Sequence, residues 1–309
     1  MELRWRPSFS ASCTHAISVS VTGGQFVDEN LSAALAPAML ELAEPLVAVR
    51  SVLPTFLEHL CALSVELEGN RQLADVALTK SLGRGRSATH VESLTRAIDG
   101  VEAAMSAARP KLAADLQLRV GPLRAAWEAR GPGLLRIVGQ VTSAELLVER
   151  ADVILVEPLE SGGGAAHPPY NSVRIEAVLT NADDRLPEVL RLAWLLSQLQ
   201  FELPMYSEHL SPHRRREVCR LSMLPALLAA AEQVELARLN AETLALAIER
   251  WRIWSERDAT DIAATLLTWW NIYSDARPSW PVALGALDRM LEDAASDEHA
   301  GAAALSSAQ

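Results

Sequence analysis

Apolar residues recur at helical spacing along most of the chain. With Asp28 or Asn30 as a cap, Leu31, Leu35, Met39, Leu42 and Leu46 fall three or four residues apart, which predicts a helix buried on one face. Pro37 and Pro45 are expected to kink or divide it. Leu53, Phe56, Leu60, Leu63 and Leu67 set out a second helix over 52–68, where Pro54 is tolerated in the first turn. A third covers 70–82 and ends at Gly83 and Gly85. Ser87 or Thr89 is expected to cap the next, and Glu92 completes a capping box with Thr89. That helix runs to about Ala108. Leu112, Leu116, Val120, Leu123 and Trp127 then mark a helix over 110–130, with a kink at Gly121-Pro122 and a stop at Gly131-Pro132-Gly133. Residues 134–148 fit either a short helix or a strand.

Three segments read as strands. Residues 16–21 alternate apolar and polar before Thr22-Gly23-Gly24, and Val153-Ile154-Leu155-Val156 is a continuous apolar run within 152–158. Over 172–180, Val173, Ile175, Ala177 and Leu179 share one face and Arg174 and Glu176 the other, the pattern of a half-buried strand. A turn at Asn181-Ala182-Asp183-Asp184 leads into a helix over 186–201, with Pro187 in its first turn and Glu188 complementing its dipole. Pro204 ends that helix. Further helical series follow from Arg214 to Trp254, after Asp258, and over 282–291. Residues 294–309 are small and polar, as in a disordered tail. The expectation is a predominantly helical α+β protein, its small sheet (near 16–21, 152–158 and 172–180) packed among about eight to ten helices. Residues 1–293 are expected to form one compact unit, because neither a linker nor an internal repeat divides them.

Composition narrows the partners. The 309 residues are 50% hydrophobic, with a net charge of −11 and a pI near 5.2. Such a chain has no positive field to draw in nucleic acid or an anionic membrane surface. No apolar run reaches the length of a membrane span, and the basic N-terminus lacks the apolar core of a secretory signal. Cys13, Cys61 and Cys219 are too few and too scattered for a disulfide framework, so a cytoplasmic location is expected. Lys80 and Lys111 are the only lysines, and the abundance of Ala, Leu and Arg is that of a GC-rich bacterial genome. Lysine chemistry therefore has almost no candidates.

Candidate chemistry falls in four places. The loop over 161–171 carries Gly162, Gly163 and Gly164, whose amides suit an anion or carbonyl oxygen, followed by His167, Tyr170 and Asn171 on a segment stiffened by Pro168 and Pro169. His167 is the acid/base candidate there. The second place is the strand–turn–helix leading to Pro187-Glu188-Val189-Leu190-Arg191. It resembles the edge strand and active-site helix of zincin metallopeptidases, whose HExxH motif supplies two zinc ligands and a glutamate base. The resemblance gives Glu188 the place of the base and puts Pro187 and Arg191 where the zinc ligands stand. Neither can ligate, so it implies a degenerate scaffold without metal.

The third place is His209, His213 and Cys219, beside Arg214-Arg215-Arg216. There the positive charge suits an acidic partner or phosphate better than a cation. The fourth is the tryptophan-rich end: Trp251, Trp254, Trp269, Trp270 and Trp280, interleaved with Arg252 and other arginines in the manner of protein interfaces. Isolated pairs such as Cys13/His15 and His59/Cys61 lack further ligands nearby and read as structural. No nucleophile elbow, phosphate-binding P-loop, dinucleotide fingerprint or calcium loop occurs, and no metal or other cofactor is expected. The leading expectation is a non-catalytic protein that binds a protein partner or itself through the Trp/Arg-rich helical surface. The alternative is an enzyme or small-ligand binder built on the loop 161–171 and the start of the helix over 186–201.

Overall fold

The computed structural model describes residues 1–84, 90–208, 210–211, 213–253 and 258–306, with side chains described through 293. Among the described residues there are thirteen α-helices and one four-stranded mixed sheet, a predominantly helical α+β fold. Contacts divide the chain into two compact units. One holds residues 2–125 and 150–180, the other Met1, 126–149 and 181–309.

The first unit carries the sheet, in the order β1 (Glu2–Pro7), β2 (Arg150–Val156), β4 (Ser172–Glu176), β3 (Gly164–His167). β1, β2 and β4 run parallel, with Trp5 opposite Val153 and Val153 opposite Val173, and β3 is antiparallel to β4. β2 lies between two partners and its residues Val153 to Val156 are buried, which explains the unbroken apolar run. β1 occupies an edge, where Arg4 and Arg6 pair with Asp152 and Glu66. Charge along an exposed edge masks the apolar alternation that would have announced this strand.

Residues 16–21 are not a strand. They close the helix α1 (Phe9–Val21), capped by Ser8, whose side chain accepts from the Ala11 amide at 3.1 Å. The misreading has a physical cause. Residues 11–17 and Val19 are all buried, so the helix has no polar stripe and its 3.6-residue period is invisible. Its buried hydroxyls turn inward: Ser12 donates to the Ser8 carbonyl and Thr14 to that of Ala11. Ala11 packs with Ile154 and Val156, and Val65 lies beside them.

The other helices of this unit are α2 (Glu29–Glu41), α3 (Ala43–Val47), α4 (Leu53–Leu63), α5 (Asn70–Leu82) and α6 (Val91–Ala108). Asp28 caps α2, and Pro37 lies inside it. The capping box proposed at Thr89 lies outside the described residues. α7 (Leu112–Val141) contributes its first part to this unit and its second part to the other. The stop expected at Gly131-Pro132-Gly133 does not occur. Trp127, Leu134, Leu135 and Val138 are buried along the continuing helix, and this tertiary burial outweighs the helix penalty of two glycines and a proline. Gly131 has its own reason, because a Cβ there would run into the Trp127 ring.

The second unit has helices and no strand among its described residues. It comprises the rest of α7, α8 (Glu188–Leu196), α9 (Pro204–Ser207), α10 (Arg215–Gln233), α11 (Ala241–Arg250), α12 (Ala259–Ala276) and α13 (Trp280–Ser306). Asn240 and Asp258 cap α11 and α12 by accepting backbone amides of Thr243 and Thr260. Aromatic rings fill the interior. Trp269 stacks on Tyr273 with centroids 6.0 Å apart and meets Trp280 edge-on at 5.6 Å, and Trp194 lies 5.4 Å from Trp251. No helix among the described residues is long and apolar enough to cross a membrane.

Candidate ligand site at the strand ends

On β4, Ser172, Arg174 and Glu176 alternate with Val173 and Ile175, as the sequence indicates. The polar face, however, is not turned to solvent, and all five residues are buried. Residues of α1 and α4 meet this face with polar groups. Arg174 Nη1 donates to Cys61 Sγ at 2.8 Å, and His15 Nε2 lies 2.9 Å from Glu176 Oε1. Arg174 and Glu176 are tolerated in a buried strand because each finds a partner.

Glu176 is the hub. Its Oε1 also accepts from the backbone amides of Leu159 and Glu160 at 2.9 and 2.8 Å, and its Oε2 from those of Gly162 and Gly163 at 2.9 and 3.0 Å. Burial alone would raise its pKa, but His15 and the converging amides outweigh that and hold it down at about 2. The glycine-rich loop is therefore an anion-binding nest, as its composition suggests, and the anion is a carboxylate of the same chain. This corrects the expectation that the Gly162 and Gly163 amides are open to a ligand or an oxyanion. Gly163 is required on spatial grounds, since a Cβ there would stand 2.9 Å from Glu176 Oε1.

The rest of the loop disperses. Gly164 begins β3 opposite Ile175, and His167 ends it, buried opposite Ser172. Tyr170 reaches His59, with its hydroxyl 2.7 Å from Nδ1, and the Lys80 ammonium lies 5.6 Å from the centre of its ring. Burial raises the phenol to about 12 and lowers His59, which favours the uncharged form of both groups. Asn171 takes a left-handed conformation at φ 44°, and its carbonyl accepts the Asp152 amide.

A different set of side chains gathers where β2 ends. Glu157 directly follows the strand, and only 8% of its side chain is exposed. Arg119 Nη1 donates to its Oε2 at 2.7 Å and Arg109 Nε approaches its Oε1 at 3.4 Å, while its own amide donates to Ser12 Oγ. Arg109 is held from the other side by Asp28, the cap of α2. The Asp28 carboxyl lies below the ordinary aspartate value, chiefly because it accepts the Leu31 amide and also because Arg109 is beside it. Next to this chain of charges is a cleft of about 470 Å³, lined by Val27, Asp28, Glu29, Asn30, Arg109, Glu157, Pro158 and Ser161. Ser161 is left-handed at φ 57° and forms part of the wall. The cleft opens at the carboxyl end of a parallel strand, where open α/β sheets bind their ligands.

The remaining predicted residues lie elsewhere. Glu188, at the start of α8, belongs to the helical unit, whereas β4 belongs to the sheet unit. Its carboxylate is taken by Arg191 Nε at 2.9 Å, one turn on, and Arg191 is 1% exposed. The position corresponding to the zincin base is thus ion-paired to a position corresponding to a ligand. Among the described residues no group of three His, Cys, Asp or Glu side chains is placed to hold a metal. Cys219 is buried, which raises its thiol, His213 is exposed, and His209 lies outside the described residues.

The tryptophan surface is also corrected. Trp251, Trp269 and Trp270 are buried, Trp251 against Trp194 and the other two against each other and Tyr273, while Arg252 is exposed at φ 52°. Trp269 Nε1 donates to the Ala283 carbonyl at 2.8 Å, satisfying its one polar atom inside. Trp254 lies outside the described residues.

Sequence reasoning missed Asp28, Arg109, Arg119 and Glu157 as a group. One signal was available, a carboxylate placed immediately after the most apolar strand. Arg109, just past α6, and Arg119, on α7, lie 38 or more positions away in sequence, with no spacing to betray them. No family model matches this chain, and no curated protein or solved structure does so either.

Proposed function

We propose that this protein binds a small polar molecule carrying an amino or guanidino group, in the cleft between the end of β2 and the start of α2. The observation that carries this reading is the buried carboxylate of Glu157, held between two arginines on the wall of a cleft at a parallel strand's carboxyl end. A buried carboxylate held by ion pairs contributes little to stability over an apolar filling, and such groups concentrate at functional sites. The charge of the lining supports the ligand class. Asp28, Glu29 and Glu157 face one cleft arginine, Arg109, whose donors are already directed at Asp28 and Glu157. An incoming cation finds acceptors, whereas an incoming anion must displace a carboxylate. The net charge of −11 draws cations toward the protein as a whole.

Calorimetric titration of the full chain with putrescine, agmatine and arginine, against a neutral polyol, tests the reading. Saturable binding of at least one amine is expected, weakened about tenfold or more in Glu157→Gln and Asp28→Asn. If no amine binds better than the polyol, or if both variants bind as the parent does, the site has been misassigned.

A further inference from the structure

The start of α10 carries positive charge that ion pairs among the described residues neutralise only in part. Arg214, Arg215, Arg216 and Arg220 fall within seven residues of a chain whose net charge is −11. They occupy the amino-terminal end of a helix, where the backbone dipole disfavours cations. Arg214 is accounted for, with Asp288 at 2.7 Å and Glu292 at 3.1 Å. Arg216 and Arg220 are not. They stand four residues apart, on one face of the helix, and among the described residues no carboxylate lies within ion-pair distance of either.

Their settings differ in a useful way. Arg216 is exposed. Arg220 is half-buried, with its guanidinium 5.5 Å from the centre of the Trp194 ring. Trp194 is fixed in turn, since its Nε1 donates to the Arg220 carbonyl at 2.9 Å and its ring packs on Trp251. Arg220 is thus a cation whose position is set by an aromatic platform rather than by an acid. Burial and the neighbouring Arg216 bring its pKa down to about 10, and Glu217 offsets only part of this. Two positive charges one helical turn apart, one of them held over an aromatic ring, suit a dianion better than a monoanion. A carboxylate would neutralise only one of them.

We infer that the Arg216/Arg220 face of α10 binds a phosphate group. This site is separate from the cleft of the sheet unit and takes the opposite charge. The group can arrive as the free ion or as a phosphomonoester, and the two are distinguished by titrating the full chain with inorganic phosphate and with O-phosphoserine. Phosphorus NMR and calorimetry are the readouts, with acetate as the control anion. Saturable binding is expected at a Kd of about 1 mM or tighter. Binding of both ligands with similar affinity assigns the site to phosphomonoesters, and binding of inorganic phosphate alone assigns it to the free ion. Arg216→Gln removes an exposed side chain and leaves the fold intact, and it should weaken binding about tenfold. Arg220→Lys retains the charge over Trp194 but loses the planar fork, and it should weaken binding by a similar factor. The inference is overturned if neither phosphate compound saturates, if acetate binds equally well, or if both variants bind as the parent does. Circular dichroism of each variant separates lost binding from lost folding.

Discussion

Replacing Glu176 by glutamine tests the structural logic of the sheet unit most directly. The substitution preserves shape and removes one charge. In the parent, the carboxylate accepts from the Leu159, Glu160, Gly162 and Gly163 amides and from His15. A glutamine side chain has one oxygen. Whichever way it turns, its NH2 group faces either the two glycine amides or the other three donors, so at least two bonds become donor against donor. Charge-assisted bonds contribute about 1.5–3 kcal/mol each, and an unsatisfied buried donor costs about 1–3 kcal/mol, so a loss of about 3–5 kcal/mol is expected. The pKa gives an independent figure. A carboxyl held at about 2 against an ordinary 4.5 corresponds to about 3 kcal/mol of folding stability. Because the folded value is depressed, that contribution is complete above pH 4.5 and is lost as the pH falls through about 2. Urea unfolding followed by circular dichroism at pH 7 should show the loss, and the difference between parent and variant should shrink on acidification. Hydrogen exchange by mass spectrometry should show the amides of 159–163 losing protection in the variant at pH 7. A variant within about 1 kcal/mol of the parent at pH 7, or one with protection unchanged over 159–163, would refute the reasoning.

Three further outcomes follow from the packing. Gly163→Ala places a Cβ against the Glu176 and Glu160 carboxylates and should destabilise the sheet unit by about 1–3 kcal/mol, read from the same urea curves. Trp269→Ala removes the ring at the centre of the Trp270, Tyr273 and Trp280 cluster. It should cost about 3–5 kcal/mol, seen as a lower midpoint in tryptophan fluorescence, which is dominated by the helical unit because every tryptophan but Trp5 falls there in sequence. All three cysteines are buried, so iodoacetamide should leave the native chain unlabelled at pH 8 and add three groups after unfolding, counted by intact-mass spectrometry.

Much of the helical architecture is legible because amphipathic helices advertise their buried face at fixed spacing. The set Leu53, Phe56, Leu60 and the caps Asp28 and Asp258 are examples. α1 is not legible, because burial on all sides erases the period, and β1 is not, because its edge is charged. The glycine nest was harder still. Its loop glycines were visible, but not their occupant, which lies on β4 and reaches back to them only after β3 and β4 pair. The candidate cleft was harder again, because Arg109 and Arg119 reach Glu157 from distant parts of the chain.

The sequence alone determined the class of fold, the apolar strand β2, the alternation of β4, the caps, and the net charge of −11. Only the tertiary structure decided which polar groups are buried and with whom. It placed Glu176 against His15 and four amides, Glu157 between Arg109 and Arg119, and Trp251, Trp269 and Trp270 inside rather than on a surface. The physical reason is that periodicity records the environment of each element one face at a time. The partner of a buried charge comes from another element, often more than a hundred residues away, and is set by packing that no local pattern contains.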